Sequence, residues 1–124
     1  MLNAIVVDDE APARSELSFL LGETGRVKVI AEAANMIEAL EKLNLHGADV
    51  LFIDINMPLA SSTQLVDAFK KLSNPPAVIL LSAYSSRDDN NFGITATDYL
   101  TKPIDISCLN EVITKVEHLN ATQS

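Results

Sequence analysis

Acidic residues follow two apolar segments of this sequence, where a folded sheet would end two of its strands. Asp8 and Asp9 come directly after the apolar residues 4–7, and Asp54 follows the apolar residues 50–53. Continuous apolar runs of this length are typical of strands buried on both faces, as in a parallel sheet. Ligands of open α/β sheets bind at the carboxyl ends of the strands, so we expect the three carboxylates to meet at one edge.

Two further polar side chains are expected at the same edge. Ser82 ends the apolar residues 77–81, and Lys102 follows a short strand at 98–100. Clustered carboxylates raise one another's pKa unless a cation lies between them, and Mg²⁺ prefers one or two carboxylates with waters and a phosphate. The lysine and the hydroxyl would bind phosphoryl oxygens. Taken singly, each residue is more typical of a solvated strand end, and only their order on successive strands indicates a site.

Strand-like and helix-like segments alternate along the whole chain. Pro12 suits the first turn of a helix, Asn35 is expected to cap a second helix that ends near Gly47, and Asp105 or Ser107 lies near the start of the last helix. The apolar faces of four helices are predicted to be Ala13, Leu17, Leu20 and Leu21; Ile37, Leu40 and Leu43; Leu65, Ala68, Phe69 and Leu72; and Leu109, Val112, Ile113 and Val116.

Five βα units predict an α/β fold with a mostly parallel, doubly wound sheet and helices on both faces. Residues 27–29 alternate between apolar and polar, as in a half-exposed edge strand. Residues 85–94 predict a short, marginal helix or an ordinary surface loop. We expect one domain over residues 1–119 and a frayed polar tail over residues 120–124.

Composition narrows the function classes. The 124 residues carry a formal net charge of −8 with no basic patch, which disfavours direct binding of nucleic acid. No apolar run has the length of a membrane helix, and no secretory leader opens the sequence. A single cysteine, Cys108, excludes an internal disulfide framework. The expected location is the cytoplasm, with no membrane contact.

Together, four motifs resemble the receiver domain of two-component response regulators, over nearly the whole chain. The motifs are Asp8-Asp9-Glu10, Phe52-Ile53-Asp54-Ile55-Asn56-Met57-Pro58, Leu81-Ser82-Ala83-Tyr84 and Ala96-Thr97-Asp98-Tyr99-Leu100-Thr101-Lys102-Pro103. The resemblance implies a flavodoxin-like (βα)5 fold with strand order 2-1-3-4-5. Smaller features, including Ala13-Arg14, resemble the LytTR-associated subgroup of LytR/AlgR type.

The resemblance also implies a role for each acid. Asp54 would be the phosphoacceptor, a carboxylate nucleophile that attacks a phosphohistidine or a small phosphodonor. Asp9 and Asp54 would ligate Mg²⁺ together with the backbone carbonyl of Asn56. Asp8 would contact these ligands without binding the ion itself, or would reach the ion through a water.

Ser82 and Lys102 would bind the phosphoryl group, and Tyr99 would be the aromatic residue that switches with Ser82. A cis peptide bond is expected before Pro103. The implied partners are a sensor histidine kinase and a second copy bound through the last helix–strand–helix face. The implied role is a phosphoacceptor and not a turnover enzyme, which would control transcription through a DNA-binding output domain that these residues do not include.

Two positions, of which Ser62 departs from the family pattern, leave alternatives open. Ser62 stands where a glycine is common, which gives some support to a stand-alone or pseudo-receiver interaction module that no longer accepts phosphate. Tyr84 either shields an acyl phosphate from water or is an ordinary half-buried tyrosine. A haloacid dehalogenase-like phosphohydrolase is a further alternative, but that family needs a second aspartate where this chain has Asn56.

Overall fold

Five parallel strands form the centre of the computed structural model, which describes residues 1–55, 68, 71–72, 75–82 and 96–123. The strands lie in the order β2-β1-β3-β4-β5, and every neighbouring pair is parallel. The predicted strand order 2-1-3-4-5 and the edge position of β2 are therefore confirmed. The strands and helices of the described ranges are β1 Leu2–Val7, α1 Ala11–Glu23, β2 Val27–Ala33, α2 Met36–His46, β3 Val50–Asp54, β4 Ala77–Ser82, β5 Asp98–Thr101 and α3 Ile106–Gln123.

Alternate residues of the buried strands pack on opposite faces of the sheet, which produces two hydrophobic clusters. Val6 and Phe52 belong to the cluster that includes α1 and α3, whereas Val7 and Ile53 belong to the cluster that includes α2. All four residues are at most 1% exposed. The central strand β3 is buried along its whole length because both of its faces are covered, as in a parallel sheet. The described helices thus lie on both faces of the sheet, as predicted.

Helix α2 begins and ends where the sequence predicts, and two of its three predicted core residues, Leu40 and Leu43, are buried. Asn35 caps the helix by accepting a hydrogen bond from the Glu38 N–H at 2.9 Å, and Gly47 ends it with a φ of 70°. The prediction that Ile37 faces the core is wrong, because this side chain is 53% exposed. Successive helical residues are about 100° apart, so the position before it, Met36, faces the core with Leu40 and Leu43.

Helix α3 buries all four of its predicted core residues, Leu109, Val112, Ile113 and Val116. Residues 120–123, which the sequence predicts to be part of a frayed tail, continue this helix to Gln123. Contacts with the rest of the fold stabilise the last turns, since Asn120 Nδ2 donates to Asp49 Oδ1 at 3.2 Å. The Arg26 guanidinium, from the turn before β2, also pairs with Glu117 of α3.

Several predicted features fall outside the described residues. They are the helix around Leu65 and Phe69, the segment 85–94, Asn56, Ser62 and Tyr84. Within the ranges given above, no helix combines the length and the apolar content needed to span a bilayer.

We expect the replacement Asn35→Ala to destabilise the protein by about 1 kcal/mol, because it removes the acceptor for the Glu38 N–H at the start of α2. Glu38 in turn accepts a hydrogen bond from the Ala34 N–H at 2.8 Å, so the cap is reciprocal. Urea denaturation measures the loss. Asn35→Asp, which keeps the acceptor, serves as the control, and equal stability of the Ala variant and the parent would contradict this role of the cap.

Candidate functional site

The register of the sheet brings the predicted site residues to one edge. Val7 lies opposite Ile53, so the residues that follow them, Asp8 and Asp54, are at the same level on neighbouring strands. Ser82, the last residue of β4, lies opposite Thr101. Asp54 and Ser82 each end a strand, while Asp8 and Lys102 each come directly after one. The sheet therefore presents acid, acid, hydroxyl and lysine on four adjacent strands.

The Lys102 ammonium lies between two buried carboxylates. Lys102 Nζ is 2.9 Å from Asp54 Oδ2 and 3.5 Å from Asp8 Oδ2. Asp54 is 2% exposed and Asp8 is 3% exposed, so little water reaches either acid. Burying a carboxylate without a partner costs several kcal/mol. Among the described residues, the Lys102 ammonium contacts both acids and offsets part of that cost.

Three consecutive acids form a second group beside this pair. One carboxylate oxygen each from Asp8, Asp9 and Glu10 lie within 4.8 Å of one another. The side chains of Asp9 and Glu10 are exposed, whereas Asp8 is buried and belongs to both groups. Oxygen donors at such a spacing suit a hard divalent cation. The sequence analysis predicts Asp9 and Asp8 at the site but not Glu10, although the adjacency of Glu10 to the two aspartates was visible in the sequence.

Burial raises the pKa of the Asp8 carboxyl above its ordinary value. The Glu10 N–H, which donates to Asp8 Oδ1 at 2.9 Å, acts in the opposite direction. The negative charge of Asp54 raises this pKa further, and Lys102 lowers it. The net direction is upward, so the ionised form of Asp8 is held at a cost that an added cation would relieve.

The pKa of Lys102 is raised although burial acts to lower it. The hydrogen bond to Asp54 and the negative charges of Asp54 and Asp8 outweigh the burial. The side chain therefore stays protonated at neutral pH and provides a fixed positive charge at the edge of the sheet.

Ser82 and Tyr99 lie on the other face of the sheet from the two aspartates. Residues of one face alternate along a strand, which places Ser82 on the face of Leu80 and places Asp54 on the face of Phe52. Tyr99 is half-buried and packs against the cluster on the α2 face, which includes Leu80. Ser82 is 6% exposed. The two predicted switch residues therefore share one face on adjacent strands.

The described residues thus place most of the predicted site together. Asp8, Asp54 and Lys102 are in contact, Asp9 joins them through Asp8, and Ser82 ends the neighbouring strand. The expected cis peptide bond between Lys102 and Pro103 is confirmed. Asn56, whose carbonyl is the remaining predicted ligand, lies outside the described residues.

We expect Asp8→Asn to stabilise the protein by about 1 kcal/mol in magnesium-free buffer at neutral pH, a typical gain when a functional constraint is relieved. Asparagine keeps an oxygen for the Glu10 N–H, and Lys102 keeps Asp54 as its partner. Because the pKa of Asp8 is raised in the folded protein, its carboxyl group is protonated at a higher pH in the folded state than in the unfolded chain. The advantage of the variant should therefore shrink as the pH falls through that pKa.

Urea denaturation at several pH values measures this difference. Asp9→Asn, which changes an exposed side chain, serves as the control and should alter the stability by less than about 0.5 kcal/mol. A less stable Asp8→Asn protein at neutral pH would show that the buried charge is stabilising.

Comparison with known proteins assigns the family. Residues 4–114 match the model of the response regulator receiver domain. The sensory transduction protein LytR of Staphylococcus haemolyticus is 37% identical over 117 residues, which cover 94% of this chain and 46% of that relative. The transcriptional regulatory protein LytR of Staphylococcus aureus is 34% identical over 120 residues, which cover 97% and 49%. The chain thus spans about half the length of these curated relatives.

Among solved structures, the receiver domain of AraT, a response regulator from Geobacillus stearothermophilus, superposes with a TM-score of 0.80 and 31% sequence identity. The match covers 99% of this chain and 98% of the AraT domain. The expected likeness to LytR-type regulators and the flavodoxin-like fold are both confirmed. The chain belongs to the response regulator receiver domain family, whose members are phosphoacceptor signalling modules of two-component systems.

Proposed function

We propose that this domain accepts a phosphoryl group on Asp54 from the phosphohistidine of a sensor histidine kinase. The observation that carries the proposal is the pairing of buried Asp54 with Lys102 at 2.9 Å, at the carboxyl end of a central strand. A carboxylate in this position is shielded from bulk water and open to ligands at the sheet edge. The ammonium beside it neutralises charge on an incoming phosphoryl group.

The transfer is an in-line displacement at phosphorus. A carboxylate oxygen of Asp54 forms the new P–O bond while the P–N bond to the donor histidine breaks, and the electron pair of that bond returns to the imidazole. Such transfers depend on alignment and on neutralising charge more than on proton transfer. Lys102, held by Asp54 and Asp8, provides that charge in a fixed place.

The acidic edge fits the Mg²⁺ ion that receiver domains bind. Its donors are carboxylate oxygens, and buried Asp8 and Asp54 both contact the Lys102 ammonium, so a dication would offset further negative charge. Asp9 and Asp54 would hold the ion, as expected from the resemblance, with Asp8 beside them and the Asn56 carbonyl as a further ligand. When bound, Mg²⁺ neutralises charge on the phosphoryl oxygens.

Phosphorylation would then change the face formed by β5 and α3. A phosphoryl group would add acceptor oxygens at the sheet edge where β4 ends in Ser82, and a shift of Ser82 would alter the space beside Tyr99, which lies on the same face of the sheet as Ser82. We also propose that the domain dimerises through the last helix–strand–helix face and that it controls a DNA-binding output domain. The transcriptional role that the name of the Staphylococcus aureus relative states supports this output. A cytoplasmic location is also proposed, which the free thiol of Cys108 fits.

The alternative functions account less well for the contacts between the buried acids and Lys102 or for the family of the chain. A pseudo-receiver would not need the buried acids and the lysine in contact, so this contact favours an active acceptor. Family membership sets aside the haloacid dehalogenase-like phosphohydrolase. The proposed role is a phosphoacceptor that loses its own phosphoryl group slowly, without turnover on small esters.

We expect the protein to gain the mass of one phosphoryl group when incubated with acetyl phosphate and Mg²⁺, and Asp54→Asn to abolish the gain because an amide is a poor nucleophile. Intact-mass spectrometry measures both. Asp105→Asn provides the matched control, since Asp105 is exposed and its bond to the Ser107 N–H is one that asparagine also makes. A parent protein that stays unmodified would favour the pseudo-receiver.

We expect Lys102→Gln to slow phosphorylation about 10²-fold or more at saturating Mg²⁺, because it removes a fixed charge from the transition state. The initial rate of mass gain measures the effect. Lys115→Gln is the control, since Lys115 forms a half-exposed ion pair with Asp98 at 3.7 Å, away from Asp54. Equal rates for the two variants would exclude a role of Lys102 in transfer.

A further inference from the structure

Arg14 bonds to the backbone on both sides of Asp9. Its guanidinium Nη1 donates to the backbone carbonyl of Asp8 at 2.6 Å. Its own backbone N–H donates to the carbonyl of Glu10 at 3.1 Å, the first hydrogen bond of α1. The two carbonyls belong to the residues that flank Asp9. The bond to Glu10 is one that any helical residue other than proline makes, whereas the bond to Asp8 depends on the guanidinium.

The guanidinium of Arg14 is itself held from the edge strand β2. Arg14 Nε lies 3.4 Å from Glu32 Oε1, and the Ser18 hydroxyl donates to Glu32 Oε2 at 3.2 Å. Glu32 stands opposite Val6 in the β1–β2 pair, one residue before the pairing ends at Val7 and Ala33. Arg14 therefore spans the gap between strands where the backbone ladder stops. Only a planar fork with several donors makes both contacts at once.

We propose that Arg14 is the positioning residue of the magnesium site, which it serves by fixing the backbone that carries Asp8, Asp9 and Glu10. The inference rests on the proposed function, because it concerns the same acidic edge. Three acids whose oxygens lie within 4.8 Å repel one another, and the loop would relax to separate them unless its backbone were restrained. Arg14 provides that restraint from outside the ligand set, as residues that orient metal ligands do.

Positioning and simple electrostatics predict opposite results, which makes the proposal testable. If Arg14 acted only as a positive charge near the acids, its removal would strengthen the binding of a dication. If it positions the acids, its removal weakens the binding although the local charge becomes more favourable. Lysine in its place keeps the charge but loses the fork, so under the proposal Arg14→Lys also weakens the binding.

The experiment is calorimetric titration of the phosphate-free protein with MgCl₂, and it needs no activity. We expect Arg14→Gln to raise the Kd for Mg²⁺ about tenfold, Arg14→Lys to raise it by a smaller factor, and Glu32→Gln to raise it about threefold, in line with losses of residues that orient metal ligands. At saturating Mg²⁺, the maximal rate of phosphorylation by acetyl phosphate should recover most of its parent value in Arg14→Gln, since Asp54 and Lys102 are unchanged.

Arg26→Gln is the matched control. Arg26 lies at the opposite end of β2, where its Nη2 donates to Thr114 Oγ1 at 2.8 Å and its Nε donates to Glu117 Oε2 at 3.2 Å. Its loss removes a comparable set of guanidinium contacts far from the acids, so stability should fall while the Kd for Mg²⁺ stays within twofold of the parent. Urea denaturation of every variant separates loss of folding from loss of binding. Arg14→Lys, which keeps the charge, supplies the binding test should Arg14→Gln fail to fold.

The results distinguish a positioning role of Arg14 from a purely electrostatic one. Weaker binding in both Arg14→Gln and Arg14→Lys, but not in Arg26→Gln, supports the proposal. Unchanged or tighter binding in Arg14→Gln overturns it, as does equal weakening in Arg26→Gln. Failure of the proposed function has a different signature, because the parent protein itself would then bind no Mg²⁺ or gain no phosphoryl mass.

Discussion

The ammonium of Lys102 is the contact on which the rest of the site depends. It lies 2.9 Å from Asp54 and 3.5 Å from Asp8, and both acids are almost fully buried. At an effective dielectric constant of about 20, a charge pair at the shorter distance interacts by about 5–6 kcal/mol. Desolvation costs several kcal/mol for each ion, so the pair adds little net stability. Its benefit is geometric, because it holds the Asp54 carboxyl group beside a fixed positive charge.

The parallel sheet makes this arrangement possible. Each strand begins at the same edge of the sheet because a helix or loop returns the chain to that edge. The carboxyl ends of all five strands therefore lie together at the other edge. Val7 opposite Ile53 and Ser82 opposite Thr101 then bring residues distant in sequence to one level. The central strands β3 and β4 are almost wholly buried, because both faces of the sheet are covered. In these two strands the polar residues, Asp54 and Ser82, stand at the strand ends, and there they face the site edge.

Most of this edge could be predicted from the sequence, because its signal is strong and local. Apolar runs that end in Asp8, Asp54 and Ser82 mark both the strands and the residues that the strands present. The core residue in the first turn of α2 was assigned wrongly because Met36 and Ile37 are both apolar, and only the packed structure shows which one the core accepts. The contacts of Arg14 were also beyond the sequence, since they depend on the position of α1 against Glu32 of β2. Contacts between side chains of different helices and strands leave no pattern that a single sequence can show.

The edge strand β2 connects the acidic loop to the C-terminal helix. At its start, Arg26 pairs with Glu117 of α3, and near its end Glu32 holds the guanidinium of Arg14. Both arginines are only partly exposed, and each contacts more than one acceptor, which distinguishes them from ordinary surface ion pairs of little energetic value. An edge strand has a partner on one side only, so these side-chain contacts replace the support that a second neighbouring strand would give. Since β2 is tied to the acidic loop at one end and to α3 at the other, loosening this strand would loosen both, and the geometry of the site depends on a strand that carries none of its ligands.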